Sequence, residues 1–159
     1  MVSRADLSQW PLIGLAGRKL GTVFVDRTST RSGAATIRTV RNLLRAGETI
    51  TIFPEGTTYT GDEVRPFHAG GLAAVIGTNA VVVPVGLAYA RGSQAAFGDE
   101  TFPQHLTRMA AAPPSFVVVS IGEPIEVAAN MRPSALAERC RAAVTTEVAR
   151  ARAEADARA

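Results

Sequence analysis

The sequence predicts an α/β domain: a layered structure with a largely parallel central sheet flanked by helices. Three observations carry this expectation. Short β-branched runs at residues 22–25, 49–53, 81–87 and 115–121 alternate with stretches of helical periodicity, the order that builds a layered α/β domain. The run at 81–87 is continuously apolar, not alternating, as in a central strand buried on both faces. At 159 residues, with no internal repeat and no linker, the chain reads as one domain over 1–159 with room for a real core.

Residues 7–20 open the series. Pro11 suits the first turn of a helix. Leu12, Leu15 and Ala16 share one face, Arg18 and Lys19 fall in the last turn, and Gly21 stops it. This short apolar helix either touches lipid or covers the sheet. Strand 22–25 ends at Asp26-Arg27 and runs into a hydroxyl-rich loop over 28–33. Arg27 reads two ways: as a phosphate seat reinforced by the N-terminus of the next helix, or as a surface charge beside a capping loop. Helix 34–46 follows. Ile37, Val40, Leu43 and Leu44 form its apolar stripe, Arg38, Arg41, Asn42 and Arg45 face outward, and Gly47 closes it.

Strand 49–53 stops at Phe53-Pro54, because proline has no N–H for a central ladder. Glu55, Gly56, Thr57 and Thr58 come next. The glycine permits a backbone conformation that strains other residues. The Glu55 carboxylate stands just past a strand terminus, where open α/β sheets place their ligand crevices. A polar loop over 59–67 leads through His68 to Gly70-Gly71 and a helix over 72–77. Residues 69–90 carry no charge and are long enough to span a bilayer. Their glycines and Pro84 instead divide them into a buried helix, a turn and a buried strand. Pro84 inside that strand predicts a break or bulge. Residues 90–114 are loop-rich, with a short helix at 104–111. Strand 115–121 and a terminal helix over 133–156 that frays at its end complete the order.

Composition narrows the chemistry. The chain is 47% hydrophobic with a net charge of +3, which permits an anionic partner or membrane surface without demanding one. Among its basic residues only Lys19 is lysine; arginine is the better fork for phosphate or carboxylate. Cys140 is the single cysteine, so a disulfide framework is excluded and its helical setting suggests packing. His68 and His105 have no clustered spacing, which gives a metal site no support. His105 has no neighbouring acid in this reading and ranks as a surface histidine.

Three stretches in order resemble the glycerolipid acyltransferase family, which includes the 1-acylglycerol-3-phosphate acyltransferases. Gly21-Thr22-Val23-Phe24-Val25-Asp26-Arg27 is similar to its second block, with Gly21, Phe24 and Arg27 at the matching positions. Phe53-Pro54-Glu55-Gly56-Thr57 matches its third block residue for residue, and Val81-Val82-Val83-Pro84-Val85 resembles its fourth. The resemblance spans about 7–89. It implies transfer of an acyl group from acyl-CoA or acyl carrier protein, as co-substrate and with no cofactor, to a hydroxyl of a lysophospholipid such as 1-acylglycerol-3-phosphate. By the same resemblance Arg27 binds the acceptor's phosphate. Glu55, Gly56 and Thr57 shape the acceptor site, Gly21, Phe24, Phe53, Pro54 and Thr58 bind substrate with them, and Val83 and Pro84 line the acyl-donor side. The implied setting is the cytoplasmic face of a membrane, with the chain peripheral and no nucleic-acid partner.

Two departures qualify this. The family's His-x4-Asp block, whose histidine takes the acceptor's proton and whose aspartate orients the ring, is missing: Ala73 stands five positions after His68, and Ala110 five after His105. The sequence is therefore expected to start downstream of its catalytic block, as a truncated gene model or a genuine remnant, and to be inactive alone. Secondly, the family usually has arginine where Thr58 stands. In that FPEGTT run and in Pro66-Phe67 the chain is similar to the subgroup that acylates lyso-ornithine lipid, and Arg65 is a candidate to replace the lost charge. His68 is expected to be a structural or substrate-contacting residue. The competing readings are a non-catalytic lipid- or acyl-CoA-binding module and a fragment with an unpaired sheet edge.

Overall fold

The structure is a computed structural model that describes residues 2–4, 23–25, 30–57, 63–97 and 100–158. The predicted helix over 7–20 lies outside those residues. The chain divides into two compact units: Met1–Pro54, His68–Val82 and Glu126–Ala137 form the first, and Glu55–Phe67, Val83–Ile125 and Glu138–Ala159 the second.

In the first unit β1 (Val2–Arg4) pairs in parallel with β2 (Val23–Val25), Val2 opposite Val23 and Arg4 opposite Val25. Helix α1 (Thr30–Arg45) begins four residues before its predicted start. It buries Val40 from the expected stripe and ends as predicted at Gly47, whose φ of +86° suits glycine. Arg41 does not simply face outward. Its Nη2 donates to the carbonyl of Ala73 at 3.0 Å and its Nε to that of Ala74 at 3.4 Å. The arginine thus satisfies carbonyls left without helical partners past α2 (Ala69–Leu72). Leu72, Ala74 and Val75 are buried there, but the helix predicted over 72–77 is helical only over 69–72, and turns occupy 73–77. Residues 49–53 have no regular secondary structure and join neither sheet. A β-branched run forms a ladder only where a partner edge meets it, and among the described residues none does.

In the second unit β3 (Val85–Tyr89) and β4 (Val117–Ile121) form an antiparallel pair, with Val85 opposite Ile121, Leu87 opposite Val119 and Tyr89 opposite Val117. The expected fully buried strand over 81–87 is therefore displaced and only half covered. Pro84, buried at its threshold, cannot donate to the ladder, but its carbonyl accepts the Gly122 N–H at 2.9 Å. Gly86 and Ala88 are buried; Val85, Leu87 and Tyr89 on the other face are exposed, the one-sided burial natural to an antiparallel pair.

Helix α3 (Phe102–Ala111) starts with a reciprocal cap between Thr101 and Gln104. Helix α4 (Pro133–Ala157) runs one residue past its predicted end. Its last turns are tied down by burial of Ala151 and Ala155 against Ala88 and Val118 and by Asp156, which accepts from Arg91 Nε at 2.8 Å and Nη2 at 2.7 Å. Cys140 is buried as a packing residue, and burial pushes its thiol pKa up. The described residues thus form a mixed α/β structure with one parallel and one antiparallel pair. No described helix is long and apolar enough to cross a membrane.

Candidate functional site

Residues 54 and 55 form a turn just after the segment 49–53. Pro54 offers its carbonyl to the backbone N–H of His68 at 2.8 Å. Gly56 has φ +74°, the left-handed conformation expected of it, which a Cβ would strain. That reversal leaves Glu55 half-buried, with Oε2 accepting from the backbone N–H of Arg65 at 3.4 Å. Arg65 thus meets Glu55 through its main chain.

Glu55 and Thr57 line a cleft of about 580 Å³ built wholly within the second unit. Glu63 and Val64 also come from the segment after Glu55. Leu87 and Tyr89 come from the outer face of β3, Ala90 to Ser93 and Ala95 to Phe97 from the following loop, and Val148 and Arg152 from α4. The Arg152 guanidinium reaches the end of β3, its Nη1 donating to the Tyr89 carbonyl at 2.7 Å. Arg91 and Arg152 share Asp156, which lies 4.0 Å from Arg152 Nη1. Arg91 holds the Asp156 carboxyl below the usual range, chiefly through its hydrogen bonds. The cleft therefore combines carboxylates, guanidiniums and apolar side chains, a lining suited to an amphiphile with a charged head.

Of the predicted site residues, Glu55 and Thr57 reach this cleft, and Gly56 shapes the turn between them. Phe53 is 60% exposed, and it and Pro54 belong to the first unit. Val83, exposed, and Pro84, buried, precede the cleft-lining part of their strand. Phe24 is the middle residue of β2; its side chain, and all of Gly21, Arg27 and Thr58, lie outside the described residues. His68 is exposed at the start of α2.

His105 overturns its ranking as a surface histidine without an acid. It is only 7% exposed, and its Nδ1 lies 2.8 Å from Glu100 Oε1. The acid stands five residues before the histidine, the reverse of the order in the family block. Arg108 completes the group, its Nε donating to Glu100 Oε2 at 3.0 Å and its Nη2 to Glu100 Oε1. Together these bonds, Arg108's first, bring the Glu100 carboxyl down to about 2 from an ordinary 4.5. The spacing was visible in the sequence; the burial was not.

The acyltransferase family model matches residues 1–88 of this chain. A lyso-ornithine lipid O-acyltransferase from Pseudomonas aeruginosa is 36% identical over 129 residues, 78% of this chain and 50% of that protein. Another from Brucella abortus is 30% identical over 154 residues, 86% of this chain and 58% of its own. A 1-acyl-sn-glycerol-3-phosphate acyltransferase from Neisseria gonorrhoeae is 30% identical over 113 residues, 68% and 44% of the two chains. The chain spans about half the length of these curated relatives. No solved structure matches it.

Proposed function

We propose, from the premise that this chain belongs to the acyltransferase family, the branch acting on glycerolipids and related lysolipids, that it takes part in moving a fatty acyl group from acyl-CoA or acyl carrier protein to the hydroxyl of a lysolipid such as 1-acylglycerol-3-phosphate. The observation that carries this reading is that Glu55 and Thr57, from the family's third block, line a cleft whose other walls are apolar and cationic, with Glu63 as a second carboxylate. In such a transfer the acceptor oxygen forms a bond to the thioester carbonyl carbon, the C–S bond breaks, and the hydroxyl proton ends on the thiolate. Residues of this chain hold the acceptor: Glu55 and Thr57 in the cleft, with Arg27 as the phosphate ligand. We assign the chain to the cytoplasmic membrane surface because its substrates are lipids. The proton-accepting histidine belongs to a His-x4-Asp block that neither histidine here supplies. A layered, largely parallel sheet is the scaffold this reading assumes.

Two second readings rest on specific observations. Lyso-ornithine lipid as acceptor is favoured by Thr58 in place of the usual arginine and by the relatives from Pseudomonas aeruginosa and Brucella abortus. A lipid-binding module without turnover is the other, because neither His68 nor His105 has an aspartate five positions on. One experiment separates all three: with a His-x4-Asp block supplied in the same polypeptide, incubate the protein with radiolabelled acyl-CoA and either lysolipid, follow acylated product, and measure lysolipid binding by calorimetry. Transfer, lost in Arg27→Ala and Glu55→Ala, supports the main reading, and the preferred acceptor decides the head group. Binding without transfer supports the module. Transfer retained in both variants refutes the site assignment.

A further inference from the structure

The loop over 90–97 forms much of the cleft wall, and its shape is imposed from behind. Arg108 on α3 uses its whole fork. Nη1 donates to both the carbonyl and the side-chain oxygen of Gln94, each at 2.8 Å; Nη2 donates to the Ala96 carbonyl at 2.8 Å and to Glu100; Nε donates to Glu100. Five N–H groups meet five acceptors. Nη2 also lies 3.0 Å from His105 Nδ1, but its two hydrogens are already committed. The proton between His105 and Glu100 therefore sits on Nδ1 and points at Oε1. That bond fixes the plane of the imidazole, against which the Phe97 ring stands edge-on, centroids 4.8 Å apart and planes at 62°. Phe97 itself lines the cleft, with Leu87, Tyr89 and Val148 as its apolar companions.

We propose that Phe97 sets the width of the cleft for the lipid's apolar chain, and that His105, Glu100 and Arg108 are positioning residues that hold its ring in place. The inference rests on the lysolipid reading above and adds a specificity determinant that lies outside all three motif blocks. Phe97 is the contacting residue. The other three act through it and touch no substrate. Arginine is required at 108, because a lysine carries three donors from one point and cannot reach Gln94, Ala96 and Glu100 together.

The test uses the full chain and two probes, lysophosphatidic acids with a straight and with a methyl-branched acyl chain, titrated below their micelle concentrations. The readout is the ratio of the two affinities. Phe97→Ala is expected to shift that ratio several-fold towards the branched chain, and Phe97→Trp to shift it the other way. Arg108→Gln and His105→Ala are expected to follow Phe97→Ala, with Arg108→Lys failing to restore the ratio. Amide exchange over 94–97 in Arg108→Gln is expected to speed up while β3 and β4 stay protected, a readout that needs no ligand. Affinities that all fall together with an unchanged ratio, or loop amides that exchange as in the parent, overturn the proposal. A parent protein that binds neither probe, yet shows the faster loop exchange in Arg108→Gln, counts against the lysolipid reading while supporting the positioning group.

Discussion

Gly86 lies directly against the backbone of Glu147. A Cβ built on residue 86 would stand 2.3 Å from the Glu147 carbonyl carbon and 2.4 Å from the Val148 nitrogen. Because the obstructing atoms are main chain, no change of rotamer relieves them, and α4 itself has to shift. Gly86→Ala is therefore expected to destabilise the protein by about 2–3 kcal/mol, the upper part of the range for overpacking a core. The control is Gly33→Ala in α1, where a Cβ meets nothing within 4 Å; it is expected to stabilise by about 0.5–1 kcal/mol. Urea titration followed by circular dichroism reads both, and equal midpoints for the two variants would refute the packing argument.

Glu147 is 5% exposed and has two partners: Ser120 Oγ donates to Oε2 at 2.6 Å, and Arg150 Nη1 to Oε1 at 3.0 Å. Ser120→Ala removes the donor to this buried carboxylate and is expected to cost about 1–2 kcal/mol. In a double-mutant cycle with Glu147→Gln the two substitutions are expected to couple by about 1 kcal/mol. Strict additivity would show that the pair adds nothing to the packing of α4 on β4.

Glu100 gives a pH dependence with a definite sign. Its folded pKa, about 2, lies below the ordinary 4.5, so it binds its proton more weakly folded than unfolded. Its contribution is fully present above about pH 4.5 and disappears as the pH falls towards 2. Glu100→Gln is expected to lower stability at neutral pH and to flatten the acid limb of the stability curve. Melting midpoints across pH 2 to 7 check this; parallel curves for variant and parent would count against it.

At Gly56, φ of +74° makes any Cβ costly, by roughly 1–2 kcal/mol for left-handed backbone. Gly56→Ala is expected to lower the urea midpoint accordingly and to speed exchange of the Arg65 amide, which donates to Glu55. Gly56→Asn, whose side chain tolerates this region, is expected to be milder. If alanine and asparagine behave alike, steric strain is not what glycine relieves there.

Much of the local structure follows from residue pattern. The stripe at Val40 and the glycine at 47 mark α1 and its end; the Pro-Glu-Gly run marks the turn; Pro84 marks a strand threshold. These are short-range matters of propensity, proline's missing donor and glycine's freedom, and the three motif blocks carried the family. What only the tertiary structure decided is which distant residues meet. The half-covered pair β3–β4, the approach of α4 to Gly86, and the joining of Glu55 to Tyr89, Arg91 and Arg152 around one cleft all depend on chain reversals that no local pattern encodes. His105 shows the difference. Its acid was in view five residues upstream, but burial and the fork of Arg108 turn that spacing into a fixed bond, and burial is a property of everything packed around it.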